Sequence, residues 1–206
     1  MDTSCLMLAC NLLTPISLGS IFLDDDLKDT GIEIDSHITI LYATGKLIDK
    51  VEIIKKIGPR YISYIQGLIR NDYYPAVFDL FELSSFSNES DYIVLRLKES
   101  TELYQKLKWL NSELSKEYKV KSEFGTYKPH LTLAELKPGK AAEYLKSDLL
   151  QRVLKDSAVQ PEDFVISYSI EGDKNFIQHD LTHNKSVDRI FRIRDLQSDL
   201  DDLRKE

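Results

Sequence analysis

The feature that most restricts what this chain can become is a phrase that occurs twice. His37-Ile38-Thr39 runs into Ile40-Leu41, and His130-Leu131-Thr132 runs into Leu133-Ala134. Both sit in short apolar stretches, Ser36 to Ala43 and Pro129 to Leu136, of the length and β-branched character of strands. Each half of the chain therefore carries one strand with the same signature, an internal echo. With nine threonines and four histidines in 206 residues, chance supplies such a pair only about 1% of the time. One copy alone would carry little weight.

The remaining pattern predicts helices alternating with strands. Residues 5–13, apolar but for Asn11, read as a central strand. Pro15, Gly19 and Asp24-Asp25-Asp26 mark irregular or short helical structure. Leu47, Val51, Ile54 and Ile57 recur at helical spacing and Gly58-Pro59 ends that helix. A second helical stretch carries Tyr61, Ile62, Ile65, Leu68 and Ile69. Residues 76–86 and 91–98 read as a hairpin about Ser87-Asn88-Glu89-Ser90. A helix from 100 to 118 buries Leu103, Leu107, Leu110 and Leu114, with Trp109 beside that stripe read as core. After the strand at 129–136, Pro138-Gly139 breaks the run. A helix at 140–155 and strands near 163–171 and 174–181 follow. The tail from Ser186 repeats Ile190, Ile193, Leu196, Leu200 and Leu203 at helical spacing. It reads as a terminal helix packed on the body, or else a self-association element. The mixture fits an α+β class with largely antiparallel sheets. The length suggests one domain, or two lobes around one cleft, over residues 1–181, with 182–206 expected as a helical extension.

Charge and cysteine content narrow the function classes. The net charge is −7, with 27 Lys and Arg against 34 Asp and Glu. That argues against coating long nucleic acid, which favours a basic face. It leaves room for a short phosphate-bearing ligand in a locally positive cleft. No apolar run approaches a membrane-spanning length. Cys5 and Cys10 are too few for a disulfide framework and read as reduced and buried. Cys5 to Cys10 is apolar like part of a signal peptide, but no Lys or Arg precedes Lys28, so a cytoplasmic location is expected.

Strand periodicity turns the repeated phrase into chemistry. Residues i and i+2 share a face, so His37 points with Thr39 and His130 with Thr132. Were the two strands to meet, two imidazoles and two hydroxyls would converge. Cleaving a phosphodiester requires one group to take a proton from the nucleophile and another to give one to the leaving oxygen. Imidazole titrates near neutrality and serves either role. Threonine hydroxyls would hold the nonbridging oxygens. Imidazolium and hydroxyls balance the phosphate charge, so no metal or cofactor is called for. A zinc site would want three or four ligands; CxxC spacing is missing, and the four-residue spacing of His179 and His183 falls at a strand end and loop, not on one helix face. His179 and His183 lack the threonine at the second following position and read as solvated, at a strand end and loop. Tyr127 and Lys128, beside the second motif, are candidates for base stacking and phosphate pairing, and Lys137 is a further phosphate candidate. Tyr42 has parity opposite to His37 and is expected in the core.

Paired His-x-Thr motifs about ninety residues apart resemble the 2H phosphoesterase superfamily, which includes LigT-type RNA 2′,3′-cyclic phosphodiesterases and ligases. The similarity covers roughly residues 5–180. It is most specific at Phe124 to Gly139, where the Tyr-x-Pro-His-x-Thr-x-Ala run resembles the phage anti-CBASS phosphodiesterase branch. Asp91-Tyr-Ile-Val-Leu-Arg-Leu and His37 to Tyr42 are similar to that branch too. The resemblance implies a two-lobed fold of pseudo-twofold symmetry around a central cleft, with helices outside. It implies metal-free cleavage of cyclic di- or trinucleotide messengers, with immune evasion as the setting and a host cytoplasm if the chain is viral. His37 and His130 would carry the acid and base roles, and Thr39 and Thr132 would bind phosphate. Glu135 stands where that branch leads one to expect an aromatic residue, and the tail after about 182 lies outside the similarity. The alternatives are a LigT-like 2′,3′-cyclic phosphodiesterase acting on RNA ends, a non-catalytic cyclic-nucleotide binder, and an interaction protein using its terminal helix.

Overall fold

Both His-x-Thr runs become strands, and one sheet contains them. A computed structural model of the chain describes residues 2–49, 51–58, 62–63, 74–120, 126–169, 176–181 and 189–191. Nine strands are found among the described residues. They are β1 (Thr3–Leu13), β2 (Leu27–Ile32), β3 (His37–Thr44), β4 (Phe81–Ser87), β5 (Asp91–Leu97), β6 (His130–Leu136), β7 (Ala158–Ser169), β8 (Phe176–Asp180) and β9 (Arg189–Phe191). The order across the sheet is β4-β5-β6-β3-β1-β7-β8-β9, with β2 pairing on β6. Every described pairing between these strands is antiparallel. The class is thus mixed α and β with an open, antiparallel sheet.

Among the described residues, α-helices accompany the sheet as α1 at residues 51–58, α2 (Val77–Leu80), α3 (Glu102–Tyr118), α4 (Ala141–Leu145) and α5 (Asp148–Lys155), with 3-10 turns at Leu18–Ser20 and Asp24–Asp26. Thr101 caps α3 through its side chain, which accepts from the Tyr104 amide at 3.2 Å. Leu103, Leu107, Leu110 and Leu114 are buried as the spacing predicts, and they share one apolar core with Ile38, Leu131, Ile93 and Leu95. Helix α3 packs on β3, and the Asn111 side chain donates to the Ile40 carbonyl at 2.7 Å. This side of the sheet is therefore covered.

Several expectations need correction. Trp109 is 49% exposed, because it lies 200° around the helix from Leu107 and off the leucine stripe. Helix α1 starts later than its apolar spacing predicts. The Asp49 carboxylate accepts from the Val51 and Glu52 amides, so Ile53 and Ile57 form its buried face while Leu47 and Val51 are exposed. Residues 77–80 make a helical turn where a strand was expected, and β4 begins at Phe81. The helix expected over 140–155 is two helices, since Ser147 ends one and caps the next through the Leu150 amide. Gly139, at φ +86°, makes the turn before them. Strand β2 was not foreseen, its Lys-Asp-Thr-Gly centre being poor strand sequence. In the tail, residues 189–191 form β9 on β8 instead of a helix. The other apolar positions of that tail lie outside the described residues, as do most of the helical stretch around Tyr61 to Ile69 and His183.

Candidate active site

Strands β3 and β6 meet at a single described pair, Ile38 with Leu131. Both side chains are fully buried on the core side. Residues directly opposite in an antiparallel ladder share a face, so the flanking residues all project to the other side. Continuing that register by one residue each way sets His37 across from Thr132 and Thr39 across from His130. All four are half-buried while their neighbours Ile38, Ile40, Leu131 and Leu133 are buried. The two histidines lie on one diagonal of this rectangle, near enough for the His37 imidazole to act on the titration of His130; diagonal neighbours in a regular ladder are roughly 7–8 Å apart.

The two strands match in finer detail. The register of β3 with β1 skips Ile40, and that of β6 with β5 skips Leu133. Each strand thus carries one extra residue immediately after its threonine, a bulge of the kind that re-aims side chains. Both skipped residues find partners for their carbonyls: Asn111 for Ile40, and the Glu33 amide for Leu133 at 3.0 Å. Each histidine places Nδ1 2.8 Å from the carbonyl two residues back, Asp35 for His37 and Lys128 for His130. A carbonyl only accepts, so Nδ1 carries the hydrogen, and Nε2 is the basic nitrogen of each neutral ring.

The bulges also explain where parity failed. The extra residue inverts the alternation, so Tyr42 lands on the same face as His37 and Thr39 and is 50% exposed. Its cross-strand partner Cys5 has its thiol in hydrogen-bonding contact with the Thr39 side chain, and burial pushes that thiol up to about 11. Cys10 is buried and its thiol is raised by the same cause. Both thiols are free. On β6 the equivalent position is Glu135, whose carboxylate accepts from the Tyr92 hydroxyl at 3.0 Å and from the Thr30 hydroxyl.

The surroundings of the two imidazoles differ. The Phe86 ring packs edge-on against His130, centroids 4.8 Å apart. Burial lowers the His130 titration, the Lys128 carbonyl opposes this, and the His37 imidazole adds to the lowering. Arg96 stands directly across from His130 on β5. Across from His37 stands Ala9 of β1. Burial raises the Glu33 carboxyl, opposed by His37. Glu33 lines a cavity of about 300 Å³ with Ser36, Asn11 and Thr14.

The three peripheral candidates are placed less uniformly. Tyr127 is not open for stacking. It packs against the core, and its hydroxyl donates to the Thr39 carbonyl at 3.0 Å. Lys137 is turned to structural work: its ammonium donates to the Asp25 carbonyl, several residues beyond Thr132 along the chain. Lys128 is exposed and lines a cavity of about 260 Å³ with Arg96. Sequence reasoning passed over Phe86 and Arg96, which only strand pairing brings to His130, and Glu33, which stands four residues before His37. No group of three or more His, Cys, Asp or Glu side chains suited to a metal gathers among the described residues, and no described helix is long and apolar enough to cross a membrane. No model of a known protein family matches the chain, and no curated protein matches it in sequence.

Proposed function

We propose that this chain is a metal-independent phosphodiesterase of the two-histidine type whose substrates are cyclic oligonucleotides. The observation that carries the reading is the Ile38–Leu131 pair, which gathers both His-x-Thr motifs into one rectangle. In this reading β1 with β3 and β5 with β6 belong to two lobes related by an approximate twofold axis through that pair. The scissile phosphate lies between the imidazoles, its nonbridging oxygens on the Thr39 and Thr132 hydroxyls. His130, whose neutral form burial favours, accepts the proton of water or a ribose hydroxyl at Nε2. His37 gives its proton to the leaving oxygen. The reading leans on the resemblance of the motifs for its choice of substrate and on the rectangle for its chemistry.

The test is a panel of cyclic di- and trinucleotides and RNA ends bearing 2′,3′-cyclic phosphate, followed by chromatography with and without EDTA. Turnover of a cyclic oligonucleotide well beyond one equivalent, unchanged by EDTA, is the expected result. Cleavage of RNA ends alone would move the substrate to the LigT-like class. Stoichiometric binding with intact ligand would make the protein a sequestering module.

A further inference from the structure

We propose that Arg96 and Lys128 form a second anion subsite beside His130, which takes a phosphate of the substrate other than the one being cut. This rests on the two-histidine reading of the site and names what kind of substrate it favours: one with at least two phosphodiesters.

Three observations support it. First, the register puts Arg96 directly opposite His130, on the face that carries the catalytic rectangle. It is one strand further from the centre, about 5 Å away. Its guanidinium is drawn outward onto Glu82 of β4, away from β6, which places it for a phosphate other than the one held between Thr39, Thr132 and the two imidazoles. Second, the adjoining cavity of about 260 Å³ brings Arg96, Lys98 and Lys128 together against Glu82 and Glu99. Three cations against two carboxylates make it locally positive in a chain of net charge −7. Lys98 is engaged, donating to the Phe78 carbonyl, so the cationic function falls to the other two. Third, Arg96 is already oriented. Glu82, its cross-strand partner on β4, accepts from Nε and from one Nη, each at 2.7 Å. This uses two of the five guanidinium donors and holds the planar fork at the edge of the cavity. A guanidinium anchored on one side is suited to bind phosphate on another without losing much side-chain freedom.

Lys128 contributes twice. Its carbonyl accepts from His130 Nδ1, so the residue that orients the imidazole also carries a cation into the cavity. Occupancy of the subsite is thus tied to the strand end on which the catalytic ring depends.

The experiment compares two ligands that differ in phosphate number: a cyclic dinucleotide and a 2′,3′-cyclic mononucleotide. Each is titrated calorimetrically into His37→Ala protein, which retains this side of the cleft, and into the same protein carrying Arg96→Gln. Arg96→Gln is expected to weaken the dinucleotide by about 10- to 100-fold, the range for a charge-assisted hydrogen bond, and to change the mononucleotide less than about twofold. Arg96→Lys, which keeps the charge and loses the fork, should fall between. Equal weakening of both ligands would place Arg96 on the scissile phosphate and overturn the proposal, and so would no weakening of either. In those cases cleavage by the unaltered protein would leave the two-histidine reading standing. If the unaltered protein neither binds nor cuts either ligand, both readings fall together.

Discussion

Strands β3 and β6 are close copies in backbone and unlike in company. Each begins with a half-buried histidine tied through Nδ1 to the carbonyl two residues before it. Each follows its threonine with one bulged residue, and each sends that residue into the core. Beside β6 stand Phe86 and Arg96; beside β3 stand Ala9 and Glu33. The comparison teaches that a repeated motif can give two histidines the same backbone setting while their neighbours make the two rings unlike. The apolar edge of Phe86 favours a neutral ring at His130, and the Arg96 side offers charge to an anion.

The hardest blow to this comparison comes from the histidines themselves. His37→Ala and His130→Ala should each cut turnover by about 10²–10⁴-fold, measured as kcat/KM on the best substrate of the panel. Because the two act on one proton-transfer sequence, the double variant should lose far less than the product of the single losses. Full activity in either single variant would end the equivalence of the strands. Next in size is the seam between them. Leu131→Ala should destabilise the protein by about 2–5 kcal/mol, as for other buried leucines, read from urea unfolding. A loss under about 1 kcal/mol would mean that the Ile38–Leu131 contact is not what holds the motifs in register.

How much of this was legible beforehand depends on range. The motif residues, the leucine stripe of α3 and the approximate positions of most strands follow from local periodicity and turn chemistry. His37 and Thr39 share a face by strand geometry alone. Whatever required the pairing of distant strands was hidden. Arg96 is an ordinary charged residue in a hairpin until β5 is laid against β6. Tyr42 was expected in the core because alternation was carried straight through Ile40, and a bulge leaves no local signature among Thr-Ile-Leu-Tyr. Tyr127 looked available for stacking because its bond partner, Thr39, lies 88 residues away.

Smaller changes sharpen the contrast. Thr39→Val and Thr132→Val should each lower kcat/KM by about 10- to 100-fold if each hydroxyl donates to a charged oxygen. Unequal losses would show that the phosphate sits closer to one strand. Phe86→Ala should rehydrate His130 and move its titration upward, towards the ordinary imidazole value of 6.5. Activity near pH 6 should then fall relative to pH 7.5, because less of the base remains neutral. The linked stability has a definite sign. The unfolded imidazole takes up its proton before the folded one, so stability is lost as pH falls from 6.5 through the folded value. Phe86→Ala should flatten that loss. NMR titration of the His130 ring protons checks the shift, and an unmoved midpoint would remove Phe86 as a source of the asymmetry.

The smallest expected effect separates two roles for one residue. Tyr127→Phe deletes the hydroxyl that donates to the Thr39 carbonyl and keeps the ring. If Tyr127 acts by tying the approach to β6 onto β3, the loss is one neutral hydrogen bond, about 0.5–1.5 kcal/mol. Up to about a tenfold fall in kcat would follow if the whole of it reached the transition state. Substrate affinity and the pH profile should hold, since neither imidazole nor the anion subsite has moved. If instead the ring stacks on a base, Tyr127→Phe should be nearly silent and Tyr127→Leu should raise KM with kcat maintained. A change confined to KM would return Tyr127 to the substrate and leave the Ile38–Leu131 pair as the sole described bridge between the two motifs.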